Sequence, residues 1–234
     1  EAAALARAVL RGLAAPLAGA DVALYPPFPA IQAVAEVVAG SDIIVGAQNF
    51  YPSDSGAFTG EVSPPMLLDV GATSVLVGHS ERRHVMGEDD ALIQRKVAAA
   101  LSHDILPVLC VGETLEQHEA GQTSATVASQ IRAGLEAVPE QRRGDVTVAY
   151  EPVWAIGTGL TATPEQASEV HQEIRALLVE LWGAAGRDTR ILYGGSVKPA
   201  NARELLQAAE IGGVLVGGAS LKAESFCGIV RAAL

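Results

Sequence analysis

With 234 residues, 49% of them hydrophobic and only 4% aromatic, the chain has the make-up of a folded protein with an Ala/Val/Leu core, and not of a disordered or fibrous polymer. Its formal charge of −11 argues against binding to nucleic acid or to an anionic membrane, yet leaves room for a small anion held by backbone N–H groups. Two cysteines, Cys110 and Cys227, make neither a disulfide framework nor a zinc ligand set, so reduced thiols and a cytoplasmic protein are expected, with no metal and no membrane span.

From the first segment, EAAALARAVLRGL, onward, Leu5, Val9, Leu13 and Leu17 repeat along one face of a helix. No capping residue and no strand stand ahead of it. Short β-branched runs then recur: VALYPP (22–27), IIVGAQN (43–49), SVLVGHS (74–80), ILPVLCVGE (105–113), VTVAYEP (146–152), RILYGGS (190–196) and GVLVGG (213–218). Most are apolar until their last residues, as befits parallel strands covered on the outer face. Amphipathic stretches at 31–38, 92–101, 125–137, 165–181 and 200–208 separate them, so the pattern predicts right-handed βαβ units in one α/β domain over 1–234. Polar and glycine residues gather at nearly every strand end, which favours a closed barrel with one mouth over a doubly wound sheet with a single switch point. The count is a helix followed by seven βα units, whereas a barrel of this kind needs eight.

Three strand ends carry candidate chemistry. In VGHSERR, His79 follows an apolar strand and precedes a helix, whose dipole would keep the imidazole neutral and able to donate. In YEPVWAIGTG, Glu151 ends a strand in apolar surroundings as a candidate base, ahead of a Gly-bearing loop. Thr163-Pro164-Glu165-Gln166 then reads as an N-cap, a first-turn proline and a capping-box glutamine that close this loop. In YGGSV and VGGAS, two glycine pairs on the last two strand ends, with Ser196 beside one, suit a phosphate.

GAQN, GAFTGE, VGHSERR, VLCVGE, YEPVWAIGTG, YGGSV and VGGASL, in this order, closely resemble the triosephosphate isomerases from end to end. The resemblance implies a (β/α)8 TIM barrel with its first β-strand absent from this sequence. It also implies interconversion of dihydroxyacetone phosphate and D-glyceraldehyde 3-phosphate, in glycolysis and gluconeogenesis, through an enediol(ate) and without a cofactor. Glu151 matches the base and His79 the neutral electrophile, with Glu81 as a relay carboxylate. Gly157, Ser196, Gly217 and Gly218 match phosphate-binding positions. The long segment 50–65 resembles an arm that enters a partner subunit in a homodimer, where Thr59 reaches the neighbouring site and Glu61 could pair with Arg82.

The family's Asn-x-Lys segment at the end of the first strand has no match, and Lys96, Lys198 and Lys222 are not convincing substitutes. The expectation is therefore that residues precede Glu1 in the molecule or that this version is catalytically impaired, a phosphate-binding barrel dimer without turnover. A barrel aldolase is the competing enzyme class, but neither a Schiff-base lysine at an inner strand end nor a metal cluster is in sight.

Overall fold

The computed structural model describes residues 1–13, 19–156 and 162–234. Six parallel strands follow one another in chain order: β1 (Ala23–Leu24), β2 (Ile44–Ala47), β3 (Ser74–Val77), β4 (Leu106–Val111), β5 (Thr147–Tyr150) and β6 (Ile191–Tyr193). Leu76 lies opposite Val108, Leu109 opposite Val148, and Ala149 opposite Leu192. The two-residue period of a strand sorts its side chains into two layers. Val75, Val77, Leu109, Val111, Val148, Tyr150, Ile191 and Tyr193 join the large core under the helices. Leu76, Val108, Cys110 and Ala149 face the other way, into a smaller cluster completed by Tyr25, Leu192 and Leu215. Burial on both faces explains why these runs are almost wholly apolar.

The helices Ala2–Gly12, Ile31–Val38, Asp90–Ser102, Thr123–Leu135, Pro164–Trp182 and Ala202–Gln207 lie where the amphipathic stretches predict them. The Thr163–Gln166 capping box is formed: Thr163 Oγ1 accepts the Gln166 N–H, and Gln166 Oε1 accepts the Thr163 N–H. The short helices Pro64–Asp69 and Leu115–Glu119 and the final helix Ala223–Ala232 lie outside the five amphipathic stretches singled out in the sequence.

The seventh expected strand, 213–218, is reduced to a parallel bridge between Tyr193 and Val214, closed by Tyr193 N–H to Gly213 O (3.0 Å) and Leu215 N–H to Tyr193 O (2.9 Å). Among the described residues nothing pairs with the far side of 213–216, and β1, at the other end of the sheet, is two residues long. The helical layer nevertheless bridges the opening. Cys227 Sγ donates to Val9 O (3.7 Å) and Arg231 to Gly12 O (2.7 Å), so the first and last helices pack together. Gly12 permits the approach, since a Cβ there would lie 2.6 Å from Cys227 Sγ. Among the described residues, no helix is long and apolar enough to cross a membrane.

Candidate active site

The carboxyl ends of β3, β4, β5 and β6 converge around Glu151, which follows β5 and is 2% exposed. Its backbone is fixed before its side chain is. Glu151 N–H donates to Val111 O (2.7 Å), and Gly194 N–H donates to the preceding Tyr150 carbonyl (2.7 Å). Gly112 and Gly194 are glycines of necessity: a Cβ on Gly112 would overlap the Glu151 carbonyl, and one on Gly194 would come within 2.9 Å of Glu151 Cγ.

His79 caps the helix Ser80–His84. Its Nδ1 accepts the Glu81 N–H (3.3 Å), so the proton of a neutral ring sits on Nε2, which lies 2.9 Å from Glu151 Oε1. The other carboxylate oxygen, Oε2, accepts the Ser80 N–H at 2.9 Å. Two consecutive residues thus hold both oxygens of one buried carboxylate. Burial is the largest single influence on His79 and lowers its pKa, but the hydrogen bond to Glu151 and the charges of Glu151 and Glu81 outweigh it, so the net shift is upward from 6.5. The neutral imidazole anticipated from the helix position therefore meets an opposing force, the carboxylate parked against it. The backbone donor at Nδ1 still disfavours a doubly protonated ring.

This pair lines a cavity of roughly 1860 Å³ that is also lined by Ala23, Leu24, Val214 and Val216. His79, Glu81, Arg82, Glu151, Ser196, Gly217 and Gly218 all line it. Ser196 is held by its carbonyl, which accepts from Asn201 Nδ2 (3.1 Å), while Gly217 and Gly218 are exposed and open the 3₁₀ turn Gly218–Leu221. Beneath the floor, Cys110 has its thiol pKa pushed well up by burial, then by the Glu151 charge.

A family model described as "Triosephosphate isomerase" matches residues 1–233. A protein of that name from Chloroflexus aurantiacus is 52% identical over 232 residues, covering 99% of this chain and 92% of its own. The chain belongs to the triosephosphate isomerase family. A second relative of that name, from Carboxydothermus hydrogenoformans, is 54% identical over 219 residues, covering 93% of this chain and 87% of its own. The crystal structure of triosephosphate isomerase from Bartonella henselae superposes with a TM-score of 0.90 at 35% identity, covering 99% of this chain and 92% of that one.

This member of the triosephosphate isomerase family keeps several expected positions apart from the His79–Glu151 pair. The Glu81 side chain is 77% exposed, with Oε2 4.0 Å from His79 Nδ1. Thr59 and Glu61 are exposed and do not line the cavity. Arg82 is engaged within its own chain, with Nε and Nη2 each 2.7 Å from Glu88 Oε1. Gly157 lies outside the described residues.

Two polar assemblies around the site escaped sequence reasoning. Lys96, 2% exposed, puts Nζ 2.6 Å from both Asn49 Oδ1 and Glu88 Oε1, which joins it to Arg82. Desolvation, the largest influence, together with the Arg82 charge lowers its pKa against the opposing pull of Glu88 and Glu61. The available signal was a lysine between Ile93 and Val97 on an otherwise apolar helix face. Glu113, fully buried, accepts from Trp154 Nε1 (2.8 Å) and Tyr150 Oη (3.1 Å), with His118 Nδ1 at 3.4 Å, and so braces the residues on either side of Glu151. Its place at a strand end was visible, but its partners were not.

Proposed function

We infer that the protein is an isomerase that interconverts dihydroxyacetone phosphate and D-glyceraldehyde 3-phosphate through an enediol(ate). The observation that carries this is the buried Glu151 carboxylate held by the His79 Nε2 and the Ser80 N–H in a cavity that Ser196 and Gly217-Gly218 also line, in a chain of this family.

In the reaction, the Glu151 carboxylate removes a proton from the carbon beside the carbonyl and returns it to the neighbouring carbon. His79 donates its Nε2 proton toward the carbonyl oxygens, where negative charge develops, and a donor aimed at that charge lowers the barrier. Substrate must first separate the two residues. The carboxylate leaves His79 Nε2 and Ser80 N–H for the substrate carbon, and the freed Nε2–H turns to the substrate oxygen. The phosphate rests against the Ser196 hydroxyl and the backbone N–H groups at Gly217-Gly218, with Gly157 as a further donor. Glu81 serves as a proton-relay carboxylate beside His79, a role its 4.0 Å approach to Nδ1 supports. No metal or cofactor enters these steps.

The chain acts as one domain, 1–234, a reading supported by the single large core that runs from Ala6 to Val230. It works as a cytoplasmic homodimer in glycolysis and gluconeogenesis. Exposed apolar side chains at Phe58, Met66, Leu68, Val85 and Met86 support a subunit interface around the 50–65 segment, with Thr59, Glu61 and Arg82 in it. Arg82 would share its guanidinium between Glu88 and a partner's carboxylate.

Solvent-deuterium incorporation into dihydroxyacetone phosphate tests the reading, since a working base promotes it. The parent should exchange, and Glu151→Gln should slow exchange by about 10²–10⁴-fold, the span expected for one acid–base group. Equal exchange in parent and variant would remove Glu151 from the base role. Light scattering should give twice the chain mass.

A further inference from the structure

The helix that carries both contacts to Glu151, Ser80–His84, is only five residues long. A helix of little more than one turn is marginal by itself, so its place must be imposed from outside. Arg83 imposes it. Its Nε donates to Gly78 O (2.8 Å), Nη2 donates to Cys110 O (3.1 Å), and Nη1 lies 2.6 Å from Asp90 Oδ1, with the side chain only 8% exposed.

The two carbonyls belong to neighbouring strand ends. Gly78 follows β3 and leads directly into His79, while Cys110 lies in β4 on the inward layer, close enough to Glu151 for that charge to act on its thiol. Gly78 adopts φ +75°, and a Cβ on it would sit 3.0 Å from Arg83 Nη2 and 3.2 Å from Cys110 O. The guanidinium fills the space that a side chain at 78 would need. A planar fork can meet two carbonyls and a carboxylate at set angles, whereas the point charge of a lysine cannot.

We propose that Arg83 is a positioning residue for the isomerase reaction. By tying the Gly78 and Cys110 carbonyls to Asp90, it sets where the His79 ring and the Ser80 N–H stand relative to Glu151. Arg83 does not itself line the cavity, so it acts through the two residues that do the holding. This rests on the function inferred above.

The test uses Arg83→Lys, Arg83→Met and Arg83→Gly in the whole protein, assayed with both triose phosphates, alongside urea unfolding curves. Misplacement of reacting groups predicts a kcat loss of about 10–100-fold in the folded variants, with KM moving less than about threefold. Added guanidinium ion should restore kcat in Arg83→Gly and leave the parent unchanged. The imidazole ¹⁵N spectrum reads the same clamp without turnover: the His79 Nε2–H resonance, sharp in the parent, should broaden or shift in Arg83→Met. The proposal is overturned by a folded Arg83→Met whose kcat stays within about twofold of the parent. It is equally overturned by a loss that tracks only the unfolded fraction, or by a change confined to KM. A parent that fails to isomerise either triose would refute the isomerase reading alone, because the His79 resonance still decides the clamp.

Discussion

His171 offers a measure of how the sheet and its covering helix share stability. It lies on the helix Pro164–Trp182, is fully buried, and sits between the rings of Tyr150 and Tyr193 at centroid distances of 5.9 and 6.3 Å. Its Nδ1–H donates to Glu210 O (3.0 Å), which leaves the lone pair on Nε2 buried and without a partner among the described residues. Burial depresses its pKa from 6.5 to about 4, with Arg175 adding to the depression and Glu210 opposing it. The folded value lies below the unfolded one, so the unfolded chain binds the proton more readily. The resulting stability is fully present above pH 6.5 and is lost as pH falls toward the folded pKa. Each pH unit between the folded and unfolded values is worth about 1.4 kcal/mol, so the loss is about 2 kcal/mol by about pH 5 and about 3 kcal/mol by about pH 4. Urea unfolding of the parent and of His171→Asn, at one protein concentration across this range, isolates the effect, because background carboxylates titrate alike in both. The variant starts lower, having lost ring contacts, but its stability should fall by about 2–3 kcal/mol less on acidification. Parallel curves would refute the reasoning, as would an His171 proton resonance titrating near 6.5.

Two further substitutions probe the scaffold around the site. Lys96→Met leaves Asn49 Oδ1 and one side of Glu88 without their buried cation and should cost about 3–5 kcal/mol in urea unfolding, part of which Lys96→Met combined with Glu88→Gln recovers. Gly112→Ala sets a methyl against the Glu151 carbonyl; it should cost at least about 2 kcal/mol and should lower kcat in whatever fraction folds, measured by coupled assay beside a thermal melt.

The strands between β2 and β6 were legible because both of their faces are covered, which writes itself as unbroken apolar runs such as SVLV and LPVLCV. GVLVGG has the same composition but, among the described residues, pairs only through the bridge to Tyr193, and composition carries no information about pairing partners. His79 and Glu151 stood out as candidates for a related reason, since each is a polar group closing an apolar run. Their contact was not legible: 72 residues separate them, and only the curl of the sheet brings β3 and β5 ends within a hydrogen bond. The same distance hid the direction of the His79 shift, because the helix position argues for a neutral ring while the carboxylate that opposes it comes from another strand. Lys96 and Arg83 were masked by their settings, one in an apolar helix face and the other in a run of charges that reads as solvent-facing. Neither residue type discloses burial by itself.

The contact between His79, Ser80 and Glu151 also bears on affinity. The imidazole and the amide act as a tethered competitor for any group that would engage the carboxylate, at a high effective concentration. A ligand that engages the carboxylate must displace that competitor first, so part of its intrinsic binding energy is spent on the exchange. A compound that leaves the pair intact escapes this cost and should show little dependence on His79. One that inserts a group between the two should bind the more weakly the better the pair is formed.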